Sequence, residues 1–274
     1  MLNKTEGNNL LYEKILSGGP FMAARFGSTE IKAILYPSLP NIFKIFLKKR
    51  ILRRMFTLSG FFPSTEENII KFSNLSVNDI KNLDVLGSWR IEEFFFKKEL
   101  RNVNIVQLAC LEPYLSNDPW SKLLKNKKVL VIHPFTETII EQYKKKDLLF
   151  SNKDILPDFE LDVIKAVQSL SGEKNQFDNW FQALDFMKNQ ISKKKFDIAL
   201  IGCGAYGFPL AAHVKRLGKQ AIHMGGSLQI LFGIKGQRWD NHPIIGKLYN
   251  ENWVRPRIQD KPTHSKLVEN DCYW

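Results

Sequence analysis

Residues Asp197 to Trp239 read DIALIGCGAYGFPLAAHVKRLGKQAIHMGGSLQILFGIKGQRW. The apolar run Phe196 to Ile201 predicts a buried strand, and it ends on Gly202, Gly204 and Gly207, a match to G-x-G-x-x-G. Pro209 to Leu217 then carries apolar residues at helical spacing, Gln220 to Met224 predicts a second strand, and Gly225 and Gly226 open a second turn. Strand, glycine turn, helix and strand in this order make the βαβ unit with which α/β folds cradle phosphate groups. The hexapeptide alone is a weak signal; its place between a strand and a helix gives it value. A purely structural reading also fits, in which Gly202 and Gly204 only let the chain turn tightly and the helix pack close.

A dinucleotide or S-adenosylmethionine site wants a carboxylate near the end of the following strand to take ribose hydroxyls. No Asp or Glu occurs between Gly207 and Asp240. The turn is therefore suited to phosphate or backbone contact without the usual ribose clamp. An S-adenosylmethionine- or NAD(P)-dependent Rossmann enzyme stands as the alternative that the glycines favour and the missing acid opposes.

Outward from this unit, Phe21 to Arg25, Asn104 to Leu108 and Lys128 to His133 also have the character of buried parallel strands. Helices are expected around Thr65 to Phe72, Glu92 to Leu100, Glu137 to Lys146 and Asn179 to Lys194, with Ser64 and Glu67 in a capping-box spacing at the first. The alternation predicts an α/β fold, a single Rossmann-like domain over residues 1–274 with a mostly parallel sheet flanked by helices. A basic insertion near 40–60 and an extended tail near 253–274, expected to wrap the surface, complete it.

Ligands of such sheets sit outside the carboxyl ends of the strands. The residues there are Arg25, Gly27, Ser28 and Glu30; Glu112, Pro113 and Tyr114; His133 to Thr136; Gly202 to Gly207, including Tyr206; and His223 to Gln229. Trp89 and Arg90 could stack on and clamp a sugar or base, or equally anchor a loop.

Forty Lys and Arg against 28 Asp and Glu give a formal charge of +12, which favours anionic partners. The densest patch is Ile42 to Phe56, IFKIFLKKRILRRMF, with six bases and no acid. Its charges fall on both sides of a helical wheel, so it reads either as a solvated loop or short helix, or as a contact with a membrane surface or lipid phosphate. No helix-turn-helix, RNP motif or zinc finger accompanies the charge, so nucleic acid is not the expected partner. The apolar runs are too short to span a bilayer, and the start of the chain lacks a hydrophobic signal region, which points to the cytoplasm. Cys110, Cys203 and Cys272 match no zinc or redox spacing and are expected as free thiols.

Arg25-Phe26-Gly27-Ser28-Thr29-Glu30 places a guanidinium, two hydroxyls and a carboxylate at a strand end. Arg pairs bidentately with phosphate, and Glu can hold a cation or accept a sugar hydroxyl. In the structural alternative Ser28 or Thr29 caps the next helix, Glu30 favours its positive end, and Arg25 forms a surface ion pair.

The R-x-G-x-x-E pattern at Arg25 to Glu30 resembles the R-x-G-D-G-E signature of the GT-D glycosyltransferases, bacterial enzymes with one Rossmann-like domain. ALIGCGAYGFPLAAHVKRLGKQAIHMGG is similar to the closing segment of that family, and WSKLLKNKKVLVIHPF at Trp120 to Phe135 has its Trp-then-strand layout. The resemblance implies a nucleotide-sugar donor and a glycan, glycoprotein or lipid-linked acceptor in bacterial surface polysaccharide assembly, in the cytoplasm or peripheral on the inner membrane. It implies Mn²⁺ or Mg²⁺ held by a D-x-E triplet, of which Glu30 is present while Ser28 stands where the family has Asp. The family's closing Asp and His are replaced by His223 and Gly226. Arg25 could then neutralise the diphosphate in place of a metal. Glu30 and His223 are the catalytic candidates; Arg25, Gly27, Ser28, Glu112, His133, Gly202, Gly204, Tyr206, Gly207, Gly225, Gly226 and Gln229 are the substrate-binding ones. A non-catalytic scaffold that kept the fold and lost its metal site is the third alternative.

Overall fold

Four-residue runs with no polar break, such as Phe21–Ala24 and Ile198–Ile201, are buried along their whole length and take the centre of the sheet, as strands covered on both faces must. The computed structural model describes residues 1–274. Its strands are β1 (Phe21–Ala24), β2 (Val85–Ser88), β3 (Asn104–Gln107), β4 (Lys128–His133), β5 (Glu160–Lys165), β6 (Ile198–Ile201) and β7 (Gln220–His223). They form one sheet in the order β3-β2-β1-β7-β6-β4-β5, with every pair parallel. The expected α/β domain with a parallel sheet is what is observed.

The helices are α1 (Lys4–Leu16), α2 (Glu30–Leu35), α3 (Asn41–Ser59), α4 (Glu66–Ile80), α5 (Thr136–Tyr143), α6 (Lys146–Leu149), α7 (Trp180–Ser192), α8 (Gly207–Arg216), α9 (Leu228–Leu231) and α10 (Gln237–Asp240). On one face α2, α3, α4, α7 and α8 pack through residues such as Ile31, Met55, Phe72, Trp180 and Leu210. On the other lie α1, α5, α9 and the C-terminal tail, through Leu11, Ile139, Leu228 and Trp274. The two apolar clusters are nearly equal, 38 and 35 buried residues, so the sheet is covered on both faces at its centre and partly exposed only at the edge strands and strand ends.

Several expectations need correction. The segment 40–60 is a 19-residue helix, α3, whose Ile51 and Met55 are buried and whose C-terminus is closed by Gly60 in the left-handed region (φ 65°). Helix α4 is capped by Thr65, whose side chain accepts the Asn68 N–H, and not by Ser64, whose hydroxyl is turned to the Leu52 carbonyl at 2.7 Å. In place of a helix over Glu92 to Leu100, a 3₁₀ turn spans Ile91–Phe96, with the Glu93 carboxylate accepting the Trp89 and Arg90 N–H groups. The tail runs along the surface but is pinned to it at intervals: Trp253, Val268, Cys272 and Trp274 are buried, and the indoles of Trp253 and Trp274 donate to the carbonyls of Leu149 and Asp260. A polar, proline-containing sequence had hidden these four anchor points. The three cysteines are free, as expected, and buried.

Candidate functional site

The chain leaves the central strands alternately toward opposite faces of the sheet. After β1 and β6 it turns to the face of α2 and α8, and after the neighbouring β7 and β4 it turns to the face of α9 and α5. Loops that diverge in this way open a crevice at the carboxyl edge, which is where ligands of open α/β sheets bind. A cleft of about 560 Å³ lies there. It is lined by Arg25, Gly27, Ser28, Glu30, Glu112, His133, Gly202, Gly204, Tyr206, His223, Gly225, Gly226 and Gln229, so residues from five separate chain segments meet as expected from their strand-end positions. Gly207 is not in the lining and lies directly behind His223.

Arg25 is the centre of the cleft's charge. Its Nε–H donates to the Phe26 carbonyl at 3.1 Å, and its guanidinium lies 4.6 Å from the centroid of the Trp89 ring. The Trp89 indole N–H donates to the same Phe26 carbonyl at 2.9 Å, and Arg90 approaches its ring at 5.1 Å while forking onto Glu92 at 2.8 and 3.0 Å. The structure thus makes Trp89 the base of a cation–aromatic stack at the cleft wall. Burial lowers the pKa of Arg25, against the charges of Glu30, Tyr273 and Glu112, which raise it. Arg25 is a half-buried cation that hydrogen-bonds through Nε alone and forms no ion pair, which leaves its Nη donors open to an anion and excludes the surface ion pair of the structural alternative. Neither Ser28 nor Thr29 caps α2 through its side chain.

Burial shapes the other groups. Glu112 is pushed above the ordinary carboxylate range by loss of water, opposed by the Ser227 hydroxyl and by Arg25. His133 is lowered to about 3 by burial, and His223 to about 3 by burial and then by the charge of Arg25, so both imidazoles are neutral. The Phe135 N–H donates to His133 Nδ1 at 3.0 Å, which puts the ring proton on Nε2. His223 has the opposite tautomer, Nδ1–H facing the Ile201 carbonyl at 3.2 Å and Nε2 keeping a lone pair. Tyr206 stacks on Trp180 at 4.9 Å, with its hydroxyl 3.2 Å from Ser169 Oγ. Gln229 lines the cleft, but its amide is committed to the carbonyls of Ile234, Lys235 and Tyr273, where it ties the tail to the glycine turn.

The carboxylates that could take part in a metal site are Glu30, Glu112 and Glu269, and no group of three or more His, Cys, Asp or Glu side chains converges as a cation site needs. Ser28 offers a neutral hydroxyl, Glu269 is paired with Arg238, and the charges of both Glu30 and Glu112 act on the Arg25 guanidinium. The residues present do not form an all-protein cage for a divalent cation, and Arg25 is the cation that the chain itself places in the cleft.

Sequence reading missed the wall built by the tail. Tyr273 packs against Gly226, and Arg238 lies 4.8 Å from the Tyr273 ring. Burial opposes the charge of Arg238, but Tyr273, Cys272 and Glu269 raise its pKa overall. Arg238 lies one residue before the end of the stretch that identifies the fold, yet nothing in the local pattern connects it with a tyrosine 35 residues on.

No protein-family model matches the chain, and no curated protein does. Among solved structures it is similar to a selenomethionine-substituted domain of unknown function 1792, at 12% identity and a TM-score of 0.45 over 82% of this chain and 78% of that one. It is also similar to a second domain of that type, described as having a distinct glycosyltransferase fold, at 14% identity and a TM-score of 0.43 over 94% and 91% of the two chains. A glycosyltransferase of the same domain type from Streptococcus sanguinis aligns at 12% identity and a TM-score of 0.41 over 92% and 94%.

Proposed function

We propose that the protein is a glycosyltransferase that moves a sugar from a nucleotide-sugar donor to a glycan, glycoprotein or lipid-linked acceptor. The observation that carries this reading is the desolvated Arg25 in a carboxyl-edge cleft, set between an aromatic wall and a glycine turn that opens a helix. In this reading Arg25 neutralises the diphosphate as the bond from the anomeric carbon to the phosphate oxygen breaks, a task open to a fixed cation as well as to a metal. In the turn that leads into α8, the N–H groups of Gly202, Tyr206 and Gly207 are held by the carbonyls of Ile132, Cys203 and Gly204, so those of Cys203, Gly204 and Ala205 are the ones that add partial positive charge along the phosphates. Trp89 supplies the stacking face for the base or sugar.

As the acceptor oxygen bonds to the anomeric carbon, its proton passes to the Glu30 carboxylate. His223 contributes as a neutral acceptor through Nε2, since a ring with its pKa near 3 is a poor proton sink. In this reading the fixed charge of Arg25 takes the part that a metal would otherwise play. The test is release of nucleoside diphosphate or monophosphate from UDP-, GDP-, dTDP- and CMP-sugars. Release by the wild type that drops by about an order of magnitude or more in Glu30→Gln and Arg25→Ala, with folding intact, supports the reading. Equal release from wild type and both variants contradicts it.

A further inference from the structure

Helix α3 divides its residues along its axis as well as around it. At about 100° per residue, Ile42, Phe46, Lys49 and Arg53 fall within an arc of about 60°, on the side opposite the buried Ile51 and Met55. This outward side is apolar in its first turns and basic after them. Ile45 and Phe46 are each 73% exposed, and Ile42 and Phe43 are exposed beside them. A second patch of the same kind follows β2: Ile91 is 85% and Phe95 74% exposed, with Phe94 exposed under the Lys97 ammonium, which sits 3.5 Å from its ring centroid. Both patches are tied to α2, the helix that begins at Glu30 of the cleft: α3 packs against it, and Lys32 of α2 bridges to Glu92 at 3.7 Å.

Exposed Ile and Phe side chains in a cluster need an occupant, and the charge around them selects it. From Asn41 to Thr65 there is no acidic residue, while Lys44, Lys48, Lys49, Arg50, Arg53 and Arg54 are all basic. A second copy of the chain would bring the same positive field against itself. Nucleic acid would meet the bases but leave the isoleucines and phenylalanines in water. An anionic bilayer satisfies both: apolar side chains enter the headgroup boundary, and the bases meet lipid phosphate.

We propose that α3 and the Ile91–Phe96 turn form a peripheral docking surface for an anionic phospholipid membrane, seating the protein with the α2 side of the cleft toward the lipid. No helix is long and apolar enough to cross a membrane, so the contact is interfacial. The proposal does not depend on the transferase reading, because membrane binding is measured without any donor.

The experiment is co-sedimentation of the full chain with vesicles of phosphatidylcholine alone and of phosphatidylcholine mixed with phosphatidylglycerol. Binding to the mixed vesicles is expected to be at least about tenfold stronger and to weaken with added salt. The pairs Phe43→Ser with Phe46→Ser, and Lys49→Glu with Arg53→Glu, should each reduce it about tenfold or more at unchanged melting temperature. If the phenylalanine pair lowers the melting temperature, Ile91→Ser with Phe95→Ser supplies the apolar test on the other patch. The proposal is overturned by absence of binding to mixed vesicles, by binding indifferent to all of these variants, or by a lipid-free dimer in solution that the phenylalanine variants dissociate.

Discussion

The Glu30 carboxylate folds back over Gly27 so closely that a Cβ at position 27 would lie 1.7 Å from its Oε2. Gly27 therefore fixes where the proposed proton acceptor of the cleft rests. The same kind of contact joins His223 to Gly207, where a Cβ would lie 2.0 Å from the imidazole Cε1. The two contacts differ in what can give way, since Glu30 is the mobile end of a partly exposed side chain and His223 is a buried ring.

Gly27→Ala is accordingly expected to leave stability nearly unchanged while displacing Glu30, with turnover reduced toward that of Glu30→Gln. Gly207→Ala must push a buried ring out of place and is expected to cost about 1–3 kcal/mol in stability. Urea unfolding paired with an activity assay separates the two. Equal stability losses in both variants would show that Gly27 is a packing residue and Glu30 is not held for chemistry.

Acid should destabilise the protein through its buried histidines. Both His133 and His223 are lowered from an ordinary 6.5 to about 3, so between these values the unfolded chain binds protons that the native state refuses. Native stability is therefore full above 6.5 and is lost as pH falls toward 3, with a slope approaching about 1.4 kcal/mol per pH unit for each histidine. Glu112 acts in the opposite sense: its raised pKa favours the protonated native form, a share present below 4.5 and lost as pH rises through its folded value. Unfolding free energies measured from about pH 7 to about pH 5 should fall, and His133→Asn and His223→Asn should each flatten the curve. A wild-type curve that is already flat over that range would mean that the imidazoles are charged in the native state.

The sequence made the central strands legible because β1 and β6 are unbroken apolar runs and β4 and β7 are apolar between polar ends, all four leading into functional residue types. Strand β2 escaped notice because VLGS is four residues long and half of it is Gly and Ser. Strand β5, ELDVIK, is a charged edge strand whose Glu160 pairs with Lys128 of β4 at 3.6 Å, and edge charge masks the strand pattern. Cleft residues from β1, β4, β6 and β7 were likewise readable from their place after a strand. Tyr273 and Arg238 were not, because a tail that returns over the cleft leaves no periodic signal. The tautomers of His133 and His223 depend on carbonyl and amide groups that only the folded backbone supplies.

Metal dependence is expected to be weak. Nucleoside phosphate release by the wild type should survive EDTA, and Ser28→Asp should create Mn²⁺ affinity detectable by calorimetry, because it adds a charged oxygen next to Glu30 and weakens the hold of Arg25 on that site. Activity abolished by EDTA and restored by micromolar Mn²⁺ would contradict an Arg25-based site and would place Glu112 in a metal shell.

The central claim is that Arg25 holds the diphosphate of a nucleotide-linked sugar in the carboxyl-edge cleft, and thermal protection tests it most directly. A donor at about 100 times its dissociation constant stabilises the native state by about 2.7 kcal/mol, or roughly 5 °C or more in a domain of this size. The expected result is that at least one of the UDP-, GDP-, dTDP- or CMP-sugars raises the melting temperature of the wild type by this amount in the presence of EDTA, and that Arg25→Ala, folded and equally stable alone, shows no shift. No shift with any of these donors, with or without Mn²⁺, or an undiminished shift in Arg25→Ala, would contradict it.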